Sequence, residues 1–144
     1  MSDALDYPAI SRELLRCWRG PRSQPAQSRR LGYRSNVVYA WEAGRRFPTA
    51  AEALRAAGLG EYPAARIWDT FYGARPGWLD HIAADTPDGV VAALNDLRGR
   101  TPIDEIAARA GLSRFAVSRA LSGQTQPRLP QFLALVDALS LRLL

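Results

Sequence analysis

Apolar positions recur along the chain at intervals of three and four residues, and glycines and prolines cut this helical rhythm into short segments. Ile10, Leu14, Leu15 and Trp18 make one face of a first helix, which Gly20-Pro21 ends. A second helix is predicted over 24–31, with Pro25 tolerated in its first turn. Gly32 turns the chain into a third helix over 35–43 that buries Val38 and Trp41 and stops at Gly44. Thr49-Ala50-Ala51-Glu52 has the spacing of a capping box, in which the side chains of the first and fourth residues each bind the other's backbone N–H. It opens a fourth helix with an inner face at Ala53, Leu54 and Ala57.

The C-terminal part repeats the plan. Thr86-Pro87 opens a helix carrying Val90, Val91, Leu94 and Leu97 that ends near Gly99. Thr101-Pro102-Ile103-Asp104 opens the next, whose inner face is Ile103, Ile106, Ala107 and Ala110. Gly111 supplies the turn, and Ser113 caps a helix that runs through Val117 to Leu121 and closes at Gly123. The last helix starts around Pro130, with Phe132, Leu133, Val136 and Leu139 on one face, and leads into an apolar ending at Leu141, Leu143 and Leu144. Between the two parts, 63–72 (Ile67, Trp68, Phe71) and 76–84 (Trp78, Leu79, Ile82) read as connector helices whose aromatics face a core or, alternatively, form a partner surface.

A displacement of 79 residues, without gaps, superposes the two parts. Leu15 falls on Leu94, Arg19 on Arg98, Gly20 on Gly99, Arg30 on Arg109, Gly32 on Gly111, Val38 on Val117, Gly44 on Gly123, Pro48 on Pro127 and Leu54 on Leu133. Glycine and proline each impose a specific backbone geometry, so their coincidence in register with core positions points to a duplicated domain. The period is too long for a solenoid.

Charge sharpens this division. All 19 basic residues are arginine and the net charge is +5. Residues 1–59 carry ten arginines against five acids, 60–97 two against six, and 98–144 seven against three. Two basic segments thus flank an acidic middle, the distribution expected of two nucleic-acid-binding units around a connector. Cys17, the single cysteine, has no partner for a disulfide and reads as a packed thiol. One histidine, His81, and one cysteine are too few for a zinc site, and Asp80, Asp85 and Asp88 lack the spacing of a metal loop. Neither a glycine-rich phosphate loop nor a nucleophile with a placed base appears, so no enzymatic activity, metal or cofactor is expected. No apolar run reaches membrane-spanning length and the N-terminus has no secretory pattern, so a cytoplasmic protein is expected.

Within each unit, two short helices joined by a tight glycine turn let the second project from the body, where it fits a DNA major groove while the first lies across the backbone. The residues Ser23-Gln24, Arg30-Leu31-Gly32, Val38, Trp41-Glu42, Gly44-Arg45-Arg46 and Pro48 in the first unit, and Ile106-Ala107, Ala110-Gly111-Leu112-Ser113, Val117-Ser118-Arg119, Leu121, Gly123 and Pro127 in the second, resemble the lambda-repressor/Cro-like (xenobiotic-response-element, XRE-like) family of five-helix DNA-binding domains. The chain departs from that pattern at Gln27 and Ser28, where the family usually has Leu and Ala, at Arg34 in place of a small capping residue, and at Pro102 in place of a glutamine. The resemblance implies sequence-specific transcriptional control by double-stranded DNA binding. Carried onto matching positions, it makes Ser35, Asn36, Val37 and Tyr39, with Arg114, Phe115, Ser118 and Arg119, the base-edge candidates. Gln24, Arg29, Arg30, Arg45 and Arg46, with Arg100, Thr101 and Gln124, become backbone contacts that set register.

The expectation is therefore an all-α protein: a first helix-turn-helix domain at 1–60, an acidic helical connector at 61–86 and a second helix-turn-helix domain at 87–144. One chain is expected to mimic a dimer, and as a direct repeat in sequence it need not match a palindrome, so unlike half-sites are expected. The competing reading is a protein-interaction module, antitoxin-like or polymerase-binding, with one unit purely structural. The apolar tail would then serve a homodimer or a further domain.

Overall fold

The computed structural model describes residues 5–59 and 85–140. They form eight helices and no strand, an all-α fold. In the first unit these are α1 (Tyr7–Arg19), α2 (Gln24–Arg30), α3 (Val37–Glu42) and α4 (Ala50–Leu59). In the second they are α5 (Pro87–Arg98), α6 (Ile103–Ala110), α7 (Arg114–Ser122) and α8 (Leu129–Ser140). The anticipated connector helices at 63–72 and 76–84, His81 and the tail at 141–144 lie outside the described residues.

Local chemistry sets the boundaries. Asp6, Ser23, Thr86 and Ser113 each accept the backbone N–H three residues on, satisfying a donor that the first helical turn cannot. The Thr49–Glu52 capping box forms as its spacing predicts: Glu52 Oε1 accepts the Thr49 N–H at 3.0 Å and Thr49 Oγ1 accepts the Glu52 N–H at 3.3 Å. Gly111 ends α6 at φ 68° and ψ 30°, a left-handed conformation that a side chain resists.

One expectation shifts. The third helix starts at Val37, not Ser35, and it is six residues long against nine in its counterpart α7. At the position of the capping Ser113 the first unit has Arg34, which offers no acceptor. Capping passes to Asn36, whose Oδ1 accepts the Tyr39 N–H at 3.4 Å and the hydroxyl of buried Ser28 at 3.1 Å. The same Ser28 hydroxyl accepts the Val38 N–H at 3.1 Å. The departures at Ser28 and Arg34 are thus two ends of one rearranged helix start.

The core is continuous across the repeat. Helix α8 was expected to bury one face, yet Leu129, Phe132, Leu133, Ala134, Leu135, Val136, Ala138 and Leu139 are all buried. Helices α5 and α6 cover part of it and α1 of the first unit covers more, so it has no solvent stripe over these positions. Each large apolar side chain enclosed in this way contributes about 1.5–3 kcal/mol. Tyr7 on α1 donates its hydroxyl to Asp137 Oδ2 on α8 at 2.5 Å, a polar tie across the same junction. Cys17, by contrast, is exposed, because it falls outside the α1 stripe of Ser11, Leu14, Leu15 and Trp18.

The units also meet through backbone. Thr49 and Arg128 form an antiparallel bridge, in which the Ala50 N–H donates to the Pro127 carbonyl at 2.8 Å and the Leu129 N–H donates to the Pro48 carbonyl at 2.9 Å.

Candidate nucleic-acid interface

Helix α7 presents an open face to solvent. Val117, Ala120 and Leu121 are buried, which turns Arg114, Phe115, Ser118 and Arg119 outward together, since residues three and four apart share a side of a helix. Phe115 keeps 73% of its surface in solvent, an exposure unusual for a phenylalanine. Arg114 pairs with the exposed Asp104 at the start of α6. A groove of about 330 Å³ runs between Ile103 and this face. All four base-edge candidates of the second unit thus stand together.

The first unit gathers its candidates less completely. Ser35 is exposed, and Tyr39 is 49% exposed with the Arg45 guanidinium 5.6 Å from its ring centroid, a cation–π contact. Val37 is half-buried and packs on the core, and Asn36 is engaged as the cap. Its amide oxygen serves the fold, leaving only the amide N–H groups for a base edge.

Among the backbone candidates, Arg29, Arg30, Arg45, Arg46, Arg100 and Gln124 are exposed, and the five arginines have no carboxylate partner among the described residues. Thr101 is buried at 6% exposure, with its carbonyl accepting Arg98 Nε at 3.0 Å, so its side chain is withdrawn from the surface. Gln24 turns inward and donates to Glu42 Oε1 at 3.1 Å.

That glutamate fixes how the helix pair sits on the first unit. Glu42 is 5% exposed and receives a bidentate pair from Arg19, Nε at 2.7 Å and Nη2 at 2.9 Å. Arg12 Nε donates to the Glu42 carbonyl at 2.8 Å. The bond to Glu42 raises the Arg19 pKa against the opposing effect of burial. In the second unit Leu121 occupies the equivalent position, and Asn95 Nδ2 binds its carbonyl at 2.7 Å. The same helix-end carbonyl is satisfied in both units by unlike side chains.

Beside α3 lies an open cleft of about 440 Å³ lined by Ala40, Trp41, Arg46, Glu52 and, from the second unit, Arg128. Burial works against the charged form of Glu52, but hydrogen bonds from the Tyr33 hydroxyl and from Thr49, with the Arg128 charge nearby, outweigh it and hold the carboxyl below its ordinary range. Arg128 was not among the sequence candidates, because only the bridge brings it to the first unit. Arg34, exposed in the turn before α3, was also missed; its signal was an arginine in place of a capping residue.

Among the described residues no three metal-ligating side chains cluster, and no helix is long and apolar enough to cross a membrane. No family model, curated protein or solved structure matches the chain.

Proposed function

We propose that the chain is a sequence-specific, double-stranded DNA-binding transcriptional regulator, built of two lambda-repressor/Cro-like helix-turn-helix units. The observation that carries this reading is α7: a capped helix whose buried side anchors it while Arg114, Phe115, Ser118 and Arg119 stand out as one surface. Arginine there supplies paired donors for guanine, and Phe115 an apolar contact for a thymine methyl. The exposed arginines of both units supply the charge that draws in a phosphate backbone. Tyr39 on α3 and Ser35 in the turn before it take the corresponding positions in the first unit.

Selection from a random duplex pool, followed by anisotropy at two salt concentrations, tests it. An enriched motif is expected, with affinity falling steeply as salt rises. Arg119→Ala should relax specificity at one position of the motif, and Arg46→Ala should weaken all sequences alike. Absence of any duplex binding at low salt would exclude this function.

A further inference from the structure

We infer that one chain acts as its own dimer on DNA, filling a site of two inverted and unequal half-sites of which the one under α7 is the more strictly read. This rests on the DNA-binding reading above.

The bridge between the units is reciprocal. Pro48 and Pro127 are equivalent under the 79-residue displacement, and so are Ala50 and Leu129. The two hydrogen bonds, Ala50 N–H to Pro127 and Leu129 N–H to Pro48, are therefore the same bond made twice with the partners exchanged. Reciprocal contact between equivalent residues is the mark of a two-fold axis; units related by translation would instead join unlike surfaces. The helices follow the same rule. Helix α1 packs on α8 and its equivalent α5 packs on α4, the equivalent of α8, while α4 and α8 touch each other. A direct repeat in sequence has thus folded into an internal pair with local two-fold symmetry.

The bridging segment lies beside both candidate reading helices. The cleft beside Ala40 and Trp41 of α3 includes Arg128, and the cleft beside Arg119 and Ala120 of α7 includes Pro127, so the bridging segment borders both. A duplex has local two-fold axes of its own, and a protein two-fold laid on one of them presents its readers to half-sites in opposite orientation. The sequence left that orientation open; the bridge sets it.

The halves differ in what they read with. Helix α7 offers four exposed side chains at its surface, whereas α3 is shorter, packs Val37 on the core and uses Asn36 to cap itself. An imperfect inverted repeat follows, with more information in one arm.

The test takes the motif selected by the full chain and rebuilds its two arms in inverted and direct orientation at several spacings, with native mass spectrometry to count chains per duplex. The inverted arrangement is expected to bind at least about tenfold more tightly than the direct one, the effect of a mismatched base pair or more, with one chain per duplex. Arg119→Ala should relax discrimination at one position of the information-rich arm and Tyr39→Ala at one position of the other. Equal binding to direct repeats, full affinity for a single arm, or two chains on a palindrome would each overturn the inference while leaving DNA binding intact. Failure to enrich any sequence would take down both.

Discussion

The two units place the same helices around the same turn, yet they hold their third helices, α3 and α7, in different ways. In the first unit the end of α3 is fixed by a buried carboxylate, Glu42, gripped by Arg19 and Gln24; in the second, Leu121 fills that position with hydrocarbon. At the start of the helix the first unit uses Ser28 and Asn36, where the second has Ala107 and Phe115 with Ser113 as cap. The difference teaches that a charged network and an apolar plug can support one backbone plan, at different cost to the surface. Where Ser113 supplies the cap, Phe115 is left free to face solvent. Where Arg34 stands instead, Asn36 is drawn into the fold.

The largest expected effect breaks the comparison at Glu42. Glu42→Ala leaves Arg19 and Gln24 without their acceptor and should lower stability by about 2–4 kcal/mol in urea unfolding. The figure is tempered because the Arg19 side chain retains 20% of its exposure to water. The double variant Arg19→Met/Glu42→Leu replaces the pair with hydrocarbon of similar volume and should recover most of that loss. If the single and double variants are equally unstable, the two solutions are not interchangeable.

Next come the caps. Asn36→Ala and Ser113→Ala should each cost about 1 kcal/mol, the usual loss of a side-chain cap. An unchanged thermal midpoint for Asn36→Ala would show that the residue is not holding α3. The third change sharpens the contrast in the opposite direction. Gln27 is 2% exposed and its Oε1 has no donor among the described residues, whereas Ile106 stands at the equivalent place. Gln27→Leu should therefore stabilise the chain by about 1 kcal/mol, measured by the same unfolding curve.

The smallest effect shows as a pH dependence confined to the alkaline range. Burial, then the hydrogen bonds to Asp137 and Glu52 and the charges of those carboxylates, push the Tyr7 and Tyr33 phenols up, Tyr33 to about 12. A phenol that holds its proton more tightly when folded stabilises fully below its unfolded value of about 10, and that contribution fades as pH rises through the folded value. Stability should fall between pH 10 and 12 in the wild type. Tyr33→Phe should flatten this alkaline limb through the first unit and Tyr7→Phe through the junction. A curve identical to wild type in both variants would remove these phenols as its cause.

Much of the fold was legible because its signals are local. The capping box at Thr49, the Ser113 cap and the Gly111 turn each act within four residues, and each lies where the spacing predicts. The start of α3 was misplaced because its determinant is a bond between Ser28 and Asn36, across the turn and invisible to periodicity. Cys17 was misread because a neighbour of Trp18 need not share its face. At the candidate interface the apolar positions of α7 already implied which side faces outward. Thr101 and Gln24 could not be assigned from sequence, since burial and the Glu42 network depend on packing between helices.

The sequence by itself determined the helices, their duplication and the arginine-rich character of both units, because caps, turns, apolar spacing and charge are properties of neighbouring residues. Only the tertiary structure decided that α8 is enclosed by both units, that Arg128 joins the cleft of the first, and that a direct repeat in the chain becomes a two-fold pair in space. Those outcomes depend on contacts between residues far apart in the chain, backbone groups at the bridge and packed side chains around α8, which no motif marks.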